Sequence, residues 1–195
     1  MVRLKRKPMA ARAARGFTLV EMLVAMAVFG VLLAVAVPSF QSVWTSVRMS
    51  AATNEFLGTL RLARTNALSR NRTVVMCVSS DAQRCDSRAD WHAGWMVFVD
   101  DNQNGVRDGE SEQVILTRGA LDGVRIIGNS TVRSFISWHS NGTMRRGTGQ
   151  GVPQMGTVTL CAQSSAAAAR QIVVNIGGRA RVQTVAGEAP KACAN

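Results

Sequence analysis

The sequence predicts an α+β chain in which one long N-terminal helix packs on antiparallel sheet, either a single sheet or two small ones. Three observations predict it. Residues 17–37 form an apolar run broken by a single charge, Glu21. Residues 39–70 continue with apolar side chains at helical spacing, and from residue 73 onward the chain turns to short β-rich runs separated by Gly, Asn and Asp. With the first 37 or so of the 195 residues set aside, enough chain remains for one ordinary domain with its own core.

The apolar run of 21 residues spans about 31 Å as a helix, close to the thickness of a bilayer core. Arg3, Lys5, Arg6, Lys7, Arg12 and Arg15 precede it with no acid among them, which places the N-terminus in the cytoplasm and sends the rest of the chain outward. A cleaved secretory signal is one reading, since "AVA" at 34–36 offers a small-residue cleavage site. A plain membrane anchor is another. Neither accounts for Glu21, because a carboxylate in hydrocarbon costs a few kcal/mol or more unless something neutralises it.

After Pro38, which can kink or restart a helix, residues 38–70 read as an amphipathic continuation. Val43, Val47 and Ala51 line its first half, and Phe56, Leu60, Ala63 and Ala67 line a second half that should lie on the sheet. Arg61, Arg64 and Arg70 read as a solvated face. Residues 71–195 read as a β-rich globular domain with strands in "TVVMCV", "GWMVFVD", "EQVILT", "VRIIG", "SFISWH", "GTVTLC", "RQIVVNI" and "ARVQTV". Hairpin turns are expected at Asn104 with Gly105, Asn141 with Gly142, and Gly177 with Gly178. The stretch "SSAAAAR" at 164–170 reads as a loop, with one short helical turn as the alternative.

The net charge of +11 resembles that of a nucleic-acid binder, but six of its cations lie in residues 1–16, leaving +5 for the rest. The distribution says more than the sum. Residues 81–112 hold most of the twelve acids, whereas residues 123–187 hold seven arginines and no acid. The last third is therefore a candidate basic surface. Cys77, Cys85, Cys161 and Cys193 are an even set on a chain whose N-terminus reads as exported, which favours two disulfides. Of the three pairings that four cysteines allow, Cys77 with Cys85 and Cys161 with Cys193 is expected, because each closes a local loop. No Cys/His spacing suggests zinc.

In "DDNQNGVRDGE", Asp100, Asn102, Asn104 and Asp108 approach the front half of a calcium loop, with a glycine at Gly105. The place for a bidentate Glu is Ser111, however, with Glu110 and Glu112 on either side, so the expectation is a hairpin turn and no metal. Neither His92 nor His139 sits near a plausible Ser or Cys nucleophile, there is no Gly-x-Ser-x-Gly motif, and no cofactor or catalytic role is expected. Trp91, Trp95 and Trp138 read as core. The sharpest downstream feature is "GGRAR" at 177–181. Its glycine pair makes a tight turn, and Arg179 and Arg181, two apart at strand period, share a side. Arg145, Arg146 and Arg170 extend the acid-free surface around it. The plain alternative is an edge-strand charge pair that discourages aggregation.

The stretch "GFTLVEMLVAMAVFGVLLAVAVP" resembles the type IV prepilin motif: a basic leader (residues 1–16) ending in Gly16, then Phe17, Thr18, Leu19, a variable residue, Glu21, and a proline some twenty residues on, here Pro38. The resemblance implies cleavage after Gly16 by a membrane-embedded prepilin peptidase and methylation of the new N-terminal Phe17. It also implies burial of 17–37 in the inner membrane and then in a fibre of other pilins, where Glu21 pairs with a neighbouring subunit's α-ammonium. Only one axial offset brings those charges together, so Glu21 would act as a register device. The long helix with Arg and Asn near its end, the strand ending in Cys77, the "GW" strand running into the acidic turn, and the late "GGRAR" resemble the GspH/FimT group of minor pilins and pseudopilins. That resemblance implies a pilin-like fold, a periplasmic globular domain, and a structural rather than catalytic role. Two functions follow from it. One is a type II secretion pseudopilus subunit with no DNA binding. The other is a type IV pilus minor pilin that captures double-stranded DNA through Gly178, Arg179 and Arg181, as the Gly-Arg-x-Arg motif of FimT-like pilins does.

Overall fold

The computed structural model describes residues 16–147, 151–163, 165–185 and 190–193, without the side chains of 35–39, 110 and 165–168. Residues 1–15 of the leader and the Pro38 side chain lie outside the described residues. The chain divides into two compact units after Ser42.

A single helix, α1, runs over Leu19–Arg70. It starts where Thr18 accepts the Glu21 amide N–H on its hydroxyl at 3.2 Å. Thr-x-x-Glu is the capping-box spacing, and it puts the carboxylate in the first turn, at the positive end of the helix dipole. The helix stops at Asn71, whose φ of 52° is left-handed, and Arg72 N–H returns to Ala67 O at 3.3 Å. That bond satisfies a terminal carbonyl in a Schellman cap. Among the described residues no helix is long and apolar enough to cross a membrane. The expected span over 17–37 runs into residues 35–39, whose side chains are outside the description.

In the first unit the apolar side chains face outward: Phe17 is 80 % exposed, and Leu19, Leu23, Met26 and Phe29 are exposed too. In the second unit Phe56, Leu60, Ala63 and Ala67 join the core, as their helical spacing predicts, while Val43, Val47 and Ala51 stay exposed.

Ten strands follow among the described residues: β1 (Val74–Val78), β2 (Trp95–Val99), β3 (Val114–Arg118), β4 (Val124–Gly128), β5 (Phe135–Trp138), β6 (Arg145–Arg146), β7 (Val152–Pro153), β8 (Gly156–Ala162), β9 (Ser165–Val174) and β10 (Ala180–Thr184). They form two antiparallel four-stranded sheets, ordered β3-β2-β1-β5 and β10-β9-β8-β4, and a small β6–β7 pair. Strands β6 and β7, two residues each, are too short to show a period and have no sequence signature. The expected loop at 164–170 is corrected. Residues from Ser165 on belong to β9, paired with β8 through a register shift at Cys161 and Ala162. Main-chain pairing overrides the poor strand propensity of alanine.

Both sheets contribute to one core shared with the second half of α1. Strand β1 supplies Val74, Met76 and Val78, and β4, β5, β8 and β9 supply Ile126, Ile136, Leu160 and Ile172. Phe56 meets Trp91 and Trp95 edge-on, each with ring centroids 5.3 Å apart. Trp91 donates to Val132 O at 2.9 Å and Trp95 to the Thr59 hydroxyl at 3.3 Å, so the two indoles are buried with their N–H groups satisfied. A second, smaller cluster on the other face of the β1–β2 pair holds Val75, Cys77, Met96 and Phe98. This is why both central strands are buried along their whole length. The disulfides pair Cys77 with Cys85 and Cys161 with Cys193.

Candidate functional site

The "GGRAR" stretch closes the β9–β10 hairpin. Asn175 N–H donates to Arg179 O at 3.1 Å, and Gly178 N–H donates to Asn175 O at 2.8 Å. The Asn175 side-chain oxygen accepts the Arg179 amide at 3.0 Å. Three residues thus make the turn, the last of them Gly178 with a φ of +72°, as a three-residue hairpin loop requires. Gly178 is also needed for space. A Cβ there would collide with Gly142 O and stand 2.9 Å from Trp138 Cδ1. The turn is therefore seated directly on a buried tryptophan.

Beyond the turn the strand alternates. Ala180 packs against the core, so Arg181, opposite Val173, faces the other way. Arg179 has the same parity. Both arginines are exposed, and together with Val173, Asn175 and Ala180 they line a shallow depression. The Arg179 guanidinium has no partner among the described residues. Arg181 lies against Gln183, whose amide oxygen, turned toward it, accepts from Nη2 at 3.0 Å and Nε at 3.3 Å.

The other arginines singled out in the sequence do not all gather here. Arg170 donates from Nη2 to the Ser50 hydroxyl of α1 at 2.9 Å, on the inner side of the sheet. Arg146 lies over the Phe135 ring, 4.6 Å from its centroid. Arg145 donates to Gly151 O at 3.4 Å. It follows Met144, whose N–H is bonded to Ile176 O at 2.8 Å, which brings this half-buried arginine next to the hairpin turn. At the other end of the chain, Gly16 has open space where a side chain would stand, and Phe17 and Glu21 are exposed at the start of α1.

The family model described as "Type II transport protein GspH" matches residues 52–178, and the prokaryotic N-terminal methylation motif matches residues 11–37. The chain belongs to the GspH family. Among curated proteins, the GspH-family chain is 25% identical over 123 residues to a fimbrial protein of Pseudomonas aeruginosa, covering 60% of this chain and 76% of that one. The fold of this chain matches the type IV minor pilin FimU of Pseudomonas aeruginosa, with a TM-score of 0.53 at 19% identity over 73% of this chain and 97% of that one. A second crystal form of FimU gives 0.52. The minor pseudopilin EpsH of the Vibrio cholerae type 2 secretion system overlaps with a TM-score of 0.46 at 9% identity, over 70% of this chain and 97% of that one. The fold is pilin-like.

In this GspH-family chain the acidic turn between β2 and β3 directs most of its polar groups onto itself, leaving one buried oxygen of Asp100 without a partner among the described residues. Buried Asp100 accepts the Gly105 N–H at 2.9 Å. Buried Glu112 accepts Asp101 N–H at 3.1 Å and Asp108 N–H at 2.8 Å. The amides of Asn102 and Asn104 both donate to the same Asp108 oxygen at 2.6 Å. Among the described residues no cluster of His, Cys, Asp and Glu could hold a metal ion. Burial pushes the Asp100 carboxyl above its ordinary range, against the pull of the Gly105 N–H, and the charge of Glu112 adds to the rise. Asp81, capped by the backbone N–H groups of Arg84 and Gln83, is instead lowered to about 2. His139 is held below the usual range by burial and then by the charge of Arg145. Trp138 and Gly142, the supports of the arginine hairpin, could not be assigned that role from the sequence. Their signal there is only an Asn-Gly pair and a core tryptophan, both far from residue 178 along the chain.

Proposed function

We propose that the chain is made as a prepilin, cut after Gly16 by prepilin peptidase and methylated on Phe17. Residues 17–37 then hold it in the inner membrane, with the N-terminus cytoplasmic and the globular domain periplasmic, until it enters a fibre in register through Glu21. The match of the methylation motif to residues 11–37 supports this reading. Mass spectrometry of the mature chain tests it, with an N-methylated Phe17 as the expected terminus. A terminus at Val37, the signal-peptidase product, would overturn it.

As part of the same proposal, the β9–β10 hairpin binds double-stranded DNA without sequence preference. The observation that carries this is the exposed pair Arg179 and Arg181 on a turn locked by Gly178 and Asn175. Guanidiniums can grip phosphate oxygens bidentately, and a fixed backbone lowers the entropy that binding costs. The indole beneath the turn, Trp138, is fully buried and unavailable for stacking on bases, so contact at this site is with the sequence-blind phosphate backbone. Affinity should lie near the micromolar range and fall with salt with a log-log slope of roughly −2 to −4. Fluorescence anisotropy with a labelled duplex tests it: Arg179→Gln with Arg181→Gln should remove most of the binding. Unchanged binding by the double variant would sink the DNA reading and favour the alternative, a type II secretion pseudopilin without DNA binding. The family description, a type II transport protein, supports that second reading.

A further inference from the structure

The arginine hairpin leans on a second glycine turn, and that turn is tied to the helix. Gly142 O lies against Gly178, where a side chain could not fit. The same oxygen accepts a hydrogen bond from Arg64 Nε on α1 at 3.3 Å. Gly142 has a φ of +75°, and a Cβ there would stand 3.1 Å from Leu68 and 3.4 Å from Arg64 Nε. The Arg64 guanidinium thus sits one carbonyl group away from the backbone of the hairpin turn.

We infer that Arg64 belongs to the same polyanion-binding surface as Arg179 and Arg181, as a phosphodiester contact supplied by the helix. This inference rests on the DNA reading above. Three observations favour it over a solvated or purely structural arginine. Guanidinium carries five N–H donors, and only the Nε donor of Arg64 has a partner among the described residues. Of the other arginines near the end of the helix, Arg70 is committed to Asn66 and Gln113 and Arg72 to Asp101, while Arg61 is exposed with no partner among the described residues and no bond to either turn. Arg64 has no carboxylate partner among the described residues, and the turns it faces belong to the acid-free segment. The Nε bond also fixes the plane of the fork while its two terminal nitrogens remain to bind, a preorganised arrangement for a phosphate.

The test uses the full-length chain in detergent micelles and a fluorescein-labelled duplex, titrated with salt. Wild type is compared with Arg64→Gln, Arg64→Lys and the Arg179→Gln/Arg181→Gln double variant, each with a thermal melt. Arg64→Gln should weaken binding several-fold and reduce the magnitude of the salt slope by roughly one. Arg64→Lys, which keeps the charge, should retain the wild-type slope, and it carries the test if the Gln variant fails to fold. A wild-type slope in Arg64→Gln beside a non-binding double variant overturns this inference alone. So does an Arg64→Lys variant as weak as the Gln variant, since Arg64 would then be only a clamp on Gly142. A wild-type chain that fails to bind at low salt overturns the DNA reading and this inference with it.

Discussion

Two hairpin turns of the same chain handle polar side chains in opposite ways. The acidic β2–β3 turn directs its carboxylates and amides inward: Asp100, Asn102, Asn104, Asp108 and Glu112 hold one another or the local backbone. The β9–β10 turn holds its shape with backbone bonds, one asparagine and two close glycine contacts, and leaves its arginines outside. The first resembles a ligand loop in sequence, but most of its side-chain oxygens accept hydrogen bonds within the turn, a buried Asp100 oxygen being the exception. The second resembles a solubilising edge in sequence but is built as a rigid mount. Residue type alone does not separate a site from a structural turn; what matters is whether the functional groups already have partners.

If that contrast holds, the mount should be where substitution does most damage to the fold. Gly178→Val should cost about 2–5 kcal/mol, combining left-handed backbone strain with a clash against Gly142 O and Trp138. Urea unfolding measures it, and a cost under about 1 kcal/mol would mean that the turn is not locked. On the acidic side, Glu112→Ala strips the acceptors from two amides, Asp101 and Asp108. It should cost about 1–3 kcal/mol by the same assay, and a neutral result would mean that the acidic turn does not depend on its own carboxylates.

A smaller effect should appear in the pH dependence. Asp100 is raised in the folded state, so its contribution favours folding at acid pH and is lost as pH rises from about 3.8 through its folded value. Asp81 is lowered to about 2, so its contribution is present above about 3.8 and is lost as pH falls toward 2. Melting temperature against pH should therefore lose part of its decline above about pH 4 in Asp100→Asn, and part of its decline below about pH 4 in Asp81→Asn. Identical profiles for both variants and wild type would contradict the assignment. The smallest stability effect is expected for Arg179→Gln and Arg181→Gln, within about 0.5 kcal/mol of wild type, as for exposed surface positions. A large loss would show that these arginines are structural and end the contrast.

Much of the fold was legible because its signals are local. Phe56, Leu60, Ala63 and Ala67 at helical spacing name the buried face of α1, and Val74 to Val78 and Trp95 to Val99 read as strands without ambiguity. The hairpin turns at Gly105, Gly142 and Gly178 follow from the need for positive φ. Residues 165–169 were not legible, because alanine has little preference of its own for a strand and pairing with β8 decides its conformation. The candidate site was half legible. The motif named Arg179 and Arg181, but Arg170 looked equivalent until the sheet placed it against Ser50, and no local pattern ties Arg64 to Gly142.

The strand order has a consequence for how the chain comes together in time. β4 crosses to the second sheet, whereas β5 returns to pair with β1 in the first, and β4 itself waits for β8. A chain delivered from its N-terminus has β1, β2 and β3 available while the free side of β1 lacks its partner, an open edge that another chain could occupy. The first sheet can close once β5 arrives, whereas the second waits for β8, β9 and β10, so β4 stays unpaired longest and closure should be slow, as expected where distant segments pair. The interval before β5 docks on β1 is the period in which this domain is most exposed to aggregation, and most in need of an escort.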